Sequence, residues 1–90
     1  MMGPLPLGRV VATSRALQVL AEAGEDPLCY LARHSSGDWG DLDDHDRREN
    51  ELSLKHGWRV LSCYPVGEER IWIITEADRS VTTILLPEDY

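Results

Sequence analysis

The run Ile71-Trp72-Ile73-Ile74-Thr75, the polar break Glu76-Ala77-Asp78-Arg79-Ser80 and the run Val81-Thr82-Thr83-Ile84-Leu85-Leu86 decide the fold of this chain. β-Branched and aromatic side chains suit a pleated, half-buried surface, and a short polar interval between two such runs predicts strand, turn, strand. Just upstream, Trp58-Arg59-Val60-Leu61-Ser62-Cys63-Tyr64 predicts another strand, joined to the first run by a hairpin loop at residues 65–69. Connections this short require antiparallel neighbours, so the last third of the chain reads as a meander.

The preceding residues read as helices. Ser14 caps a short amphipathic helix that carries Ala16, Leu17, Val19 and Leu20 and closes at Gly24. Asp26 followed by Pro27 starts a second helix, with Leu28, Leu31 and Ala32 as its apolar face and His34 near its end. The turn Gly37-Asp38-Trp39-Gly40-Asp41 holds a large aromatic that reads as a plug pinning the loop to the core. Asp43 or Asp44 then caps a third helix, acidic in its first turn and basic at Lys55 and His56, as the helix dipole favours. Residues 9–13 are β-prone and predict an edge strand. The expected fold is therefore α+β, two or three N-terminal helices on a three- to four-stranded antiparallel sheet. Residues 1–8 are expected to be a flexible arm and 9–90 a single domain.

At 90 residues, with 42% hydrophobic and 28% charged side chains, the chain is ordinary for one soluble domain. No apolar run approaches the roughly 20 residues that span a bilayer, and the first residues make a poor signal peptide. Cys29 and Cys63 form no disulfide framework and are expected as reduced core thiols, which together predicts a cytoplasmic protein without membrane partners.

Charge is the most informative bulk property. The net charge is −7, and residues 38–51 alone hold seven acids against two arginines, or −5. A protein that follows a phosphate backbone by charge carries the opposite sign, so nucleic acid is expected only as a local ligand. A basic protein surface is the natural complement. That places the partner-binding candidates at Asp38, Trp39, Asp41, Asp43, Asp44 and Asp46.

Chemical motifs are few. The series Asp41, Asp43, His45, Asp46 resembles a calcium loop but lacks Gly at its sixth position and has Leu52 at its twelfth. Histidine and cysteine spacing fits no zinc site, and no phosphate loop or nucleophile elbow is present. No metal or cofactor is expected. Strand alternation groups Ser62 with Tyr64, and Thr83 with Val81 and Leu85. If His34, Arg79, Thr83 (or its neighbour Thr82), Ser62 and Tyr64 met on an open sheet face, they would supply the proton-transfer, phosphate-binding and orienting groups of a metal-free ribonuclease. Otherwise these residues are ordinary sheet-face and turn residues.

Several stretches resemble a family of small bacterial proteins of plasmids and integrative elements, often labelled "plasmid-related protein". They are Leu31-Ala32-Arg33-His34, residues 37–41, Asp46 and Asn50, Gly57, Arg59, Ser62 and Tyr64, and the two long runs at 73–80 and 82–87. The resemblance covers nearly the whole chain from about Gly8 and implies a mobile-element setting without an established activity. Architecturally the pattern also resembles the barnase/RelE-type ribonuclease fold of small toxins, although their usual basic surface is missing. Two functional readings follow. One is an accessory protein that binds a host or phage protein in a counter-defence or regulatory role. The alternative is a RelE/barnase-like ribonuclease or RNA-binding module. A homodimer formed through exposed sheet edges is compatible with either.

Overall fold

A computed structural model of the chain describes residues 4–90. In order, the elements are β1 (Arg9–Ala12), α1 (Ser14–Glu22), α2 (Pro27–Ser35), α3 (Asp44–His56), β2 (Val60–Val66), β3 (Glu69–Thr75), β4 (Val81–Leu85) and a terminal 3-10 turn, Pro87–Asp89. The fold is α+β. The sheet order is β1-β4-β3-β2, with β2–β3 and β3–β4 antiparallel as the meander predicts. β1 corrects the expected all-antiparallel sheet, because it runs parallel to β4 and pairs Val10 with Thr82 and Ala12 with Ile84. The physical reason lies in the connection. Three helices separate β1 from the meander, long enough to return the chain in the same direction. The helices are thus inserted between strands rather than placed before the sheet.

Registers Val60↔Thr75↔Thr82 and Ser62↔Ile73↔Ile84 put these residues on one sheet face. α1 and α2 cover that face, burying Ala16, Leu20, Tyr30 and Leu31 against Tyr64, Ile71, Ile73 and Ile84. Each Leu or Ile among them contributes roughly 1.5–3 kcal/mol. α3 lies along the β2 edge, and its buried residues are polar, Asn50 and Ser53. A second apolar cluster at that end joins Leu5, Trp39 and Val60.

Several local expectations change. Thr13, not Ser14, caps α1, its hydroxyl accepting from Ala16 N at 3.1 Å. α2 buries Tyr30, Leu31 and His34, while Leu28 and Ala32 face outward. Cys63 is buried, but Cys29 is exposed rather than a core thiol. The arm expected over residues 1–8 is anchored within its described part, since Leu5 is buried and its N–H donates to Ser35 O at 2.8 Å.

Among the described residues no helix is long and apolar enough to cross a membrane. Nor, among the described residues, is any cluster of three or more His, Cys, Asp or Glu side chains placed to hold a metal.

Candidate functional site

His34 reaches the sheet from the last turn of α2 and is completely buried. Its Nδ1 lies 2.5 Å from Ser62 Oγ and its Nε2 2.8 Å from Thr75 Oγ1. Thr75 Oγ1 lies 2.7 Å from Thr82 Oγ1, which donates to Leu7 O at 2.7 Å. A carbonyl oxygen only accepts, so this last bond sets the direction of all the others. Thr82, having given its proton to Leu7, accepts from Thr75. Thr75 then accepts from His34 Nε2–H, and the bare Nδ1 accepts from Ser62. The imidazole is neutral and both nitrogens are saturated. Burial, seconded by the positive charge of Arg79, pushes its pKa down to about 4.

Ser62 thus meets His34, but on the helix-covered face rather than in an open cleft. Tyr64 shares that face, where its hydroxyl donates to Asp38 O at 2.6 Å and burial raises its pKa to about 12. The guanidinium of Arg33 lies 4.5 Å from the Tyr64 ring centroid. Thr83 belongs to the opposite face, beside Ile74 and Val11 in the register. Arg79 donates to three backbone carbonyls, Trp58 O at 2.6 Å, Ser53 O at 3.1 Å and Glu76 O at 3.2 Å. It thereby clamps the end of α3 to the β3–β4 turn, from a backbone with φ of 61°. The five residues of the ribonuclease reading do not converge on one solvent-facing site.

The acidic segment divides by role. Asp38 pairs with Arg33 and Asp41 with Arg70, both at 2.7 Å. The hydrogen bond from Arg33 holds the Asp38 carboxyl below the usual range. Asp43 caps α3 by accepting from Asp46 N at 2.8 Å. Trp39 is buried, a plug as its setting predicts, with its indole N–H unpartnered among the described residues. Asp44 faces solvent in the first turn of α3.

Asp46 has a different setting. Asp46, Glu49, Asn50 and Ser53 recur at three- and four-residue intervals, which puts them on one side of α3. They form one wall of an open groove of about 300 Å³ whose other side is Leu42, Trp58, Arg59 and Leu61. Asn50 fixes the floor: its Nδ2 donates to Leu61 O at 2.6 Å, and Leu61 N donates to its Oδ1 at 3.1 Å. Trp58 is 50% exposed and stacks on His56 with ring centroids 4.9 Å apart. Arg59 leans away toward Tyr90, donating to its hydroxyl at 2.8 Å. A basic side chain entering the groove would lay its methylenes on Trp58 and Leu61 and its charge between Asp46 and Glu49.

Sequence reasoning found Asp46 and missed Glu49, Asn50, Trp58 and Leu61. The helical spacing of Asp46, Glu49, Asn50 and Ser53 was the available signal. No protein-family profile, characterised protein or solved structure matches the chain in comparisons with known proteins.

Proposed function

We propose that the chain is a binding protein that takes a basic segment of another protein into the groove between α3 and β2. The observation that carries this reading is the joining of two carboxylates, Asp46 and Glu49, to an apolar and aromatic wall in one accessible groove. Charge-assisted hydrogen bonds and an aromatic face are what an Arg or Lys side chain needs. The surplus of acids over residues 38–51 adds long-range attraction toward a basic surface. The burial of His34 and the engagement of Arg79 by backbone carbonyls support binding over RNA cleavage. In the mobile-element setting that the resemblance implies, the partner is a host or phage protein and the role counter-defence or regulation.

Affinity capture from a bacterial lysate at low and high salt tests this reading. A defined host protein retained at about 50 mM salt should be lost at about 500 mM, as screening of exposed charges requires. It should also be lost with the double variant Asp46→Asn, Glu49→Gln. Capture that ignores both changes would contradict it.

A further inference from the structure

The two edges of the sheet are treated differently. On the β2 edge the outward backbone of Leu61 and Cys63 is occupied and the next position is blunted. Leu61 gives its N–H and C=O to Asn50. Cys63 N donates to Trp39 O at 3.1 Å, and Cys63 O accepts from Asp41 N at 2.7 Å. The next outward residue, Pro65, has no N–H to offer. Such devices keep an edge strand from pairing with another chain.

The β1 edge has none of them. Arg9 N donates to Ser80 O and Thr13 N to Ile84 O, each at 2.9 Å, so Arg9, Val11 and Thr13 direct their backbone toward β4. Alternation then turns the N–H and C=O of Val10 and Ala12 outward, where the described residues supply no further strand. β1 contains neither Pro nor Lys, and Val10 and Val11 are exposed.

We propose that β1 is a homodimer interface, pairing antiparallel with β1 of a second copy across a two-fold axis at Val11. In this register Val10 faces Ala12 of the other copy, and about four backbone hydrogen bonds form. Local charge at the strand, acting against the net repulsion of two copies at −7 each, favours a second copy as the occupant. The register sets Arg9 opposite Thr13, whose hydroxyl donates to Asp89 Oδ2 at 2.8 Å. Among the described residues Arg9 makes no ion pair, so across the axis it is free to join Arg15, 3.5 Å from Asp89 Oδ1, as a second cation at the Asp89 carboxylate. Because the β2 edge is occupied and blunted, each copy has one open edge and pairing stops at two. The interface is independent of the α3–β2 groove.

Sedimentation equilibrium of the full chain from about 10 µM to about 1 mM tests this, a range suited to a contact smaller than a standard interface. The weight-average mass should rise from 10.2 kDa toward twice that value. Val10→Pro removes an outward N–H that β4 does not use, so the fold should persist by circular dichroism while the dimer is lost. Val11→Lys sets two ammonium groups against each other and should abolish association in the same way. Arg9→Glu should weaken it at least ~3-fold, most at low salt. A wild-type chain that stays at 10.2 kDa throughout overturns the proposal and would leave β1 to an extended segment of another protein. A dimer that survives both Val10→Pro and Val11→Lys overturns it as well.

Discussion

His34 donates from Nε2 to Thr75 Oγ1 across 2.8 Å, tying the end of α2 to the last residue of β3 inside the core. A neutral imidazole is the only form that satisfies this bond together with the one from Ser62. Stability should therefore depend on pH through His34. Its ordinary value is 6.5 and its folded value about 4. Above pH 6.5 neither state takes up the proton, and the contribution of the neutral ring is fully present. Between 6.5 and 4 only the unfolded chain is protonated, so stability falls as pH falls, by about 3 kcal/mol in all. Below 4 this contribution levels off. Urea midpoints at pH 7.5 and 4.5 measure the loss, and His34→Gln should remove the part due to the ring. An equal pH dependence in that variant would contradict the assignment.

Asn50 substitutes for a neighbouring strand by bonding both backbone groups of Leu61. Asn50→Ala frees the N–H and C=O of half-buried Leu61 and should cost about 1–2 kcal/mol. Asn50→Asp keeps the acceptor but loses the donor, and should fall between the two. Denaturant titration gives the energies. Hydrogen exchange at the Leu61 amide, fast in Asn50→Ala and slow in the wild type, separates this bond from a general loss of stability.

Gly40 carries the chain across Cys63 in a left-handed conformation, φ 73°. A Cβ there would collide with the Cys63 carbonyl oxygen and the Tyr64 ring. Gly40→Ala should destabilise by about 2 kcal/mol or more, beyond the usual cost of a surface change. Gly37→Ala has a positive φ but open space around it, and should cost less. Comparing the two urea midpoints isolates the steric part.

The meander was legible because β-branched runs and short connections leave few alternatives. The direction of β1 was not, since a four-residue strand carries no signal for its partner. Alternation correctly grouped Ser62 with Tyr64 but does not say which face the helices cover. The hydroxyls of Ser62, Thr75 and Thr82 sit on the helix-covered face only because His34 and Leu7 O complete their hydrogen bonds. That is a tertiary fact, invisible to local pattern. The same limit hid the outward turn of Leu28, where the hydrophobic pattern points to burial and the packed face instead takes Tyr30 and His34. In the acidic segment, composition revealed the charge but not its division between carboxylates held in caps and arginine pairs and those that line the groove, where Glu49 has only His45 beside it at 3.9 Å.

The groove is tested most directly by NMR titration of the isotope-labelled chain with a short peptide of alternating Arg and Leu. Binding there predicts that the Trp58 indole N–H and the backbone amides of Asp46 and Glu49 shift first, at about 50 mM salt, with the Trp39 indole unmoved. Asp46→Asn with Glu49→Gln should lower the affinity about tenfold or more, as loss of two charge-assisted contacts worth at least ~1.4 kcal/mol together requires. Shifts confined to Asp44, Glu51 and other freely exposed acids, with Trp58 unchanged, would contradict a built binding groove and leave only diffuse attraction between charges.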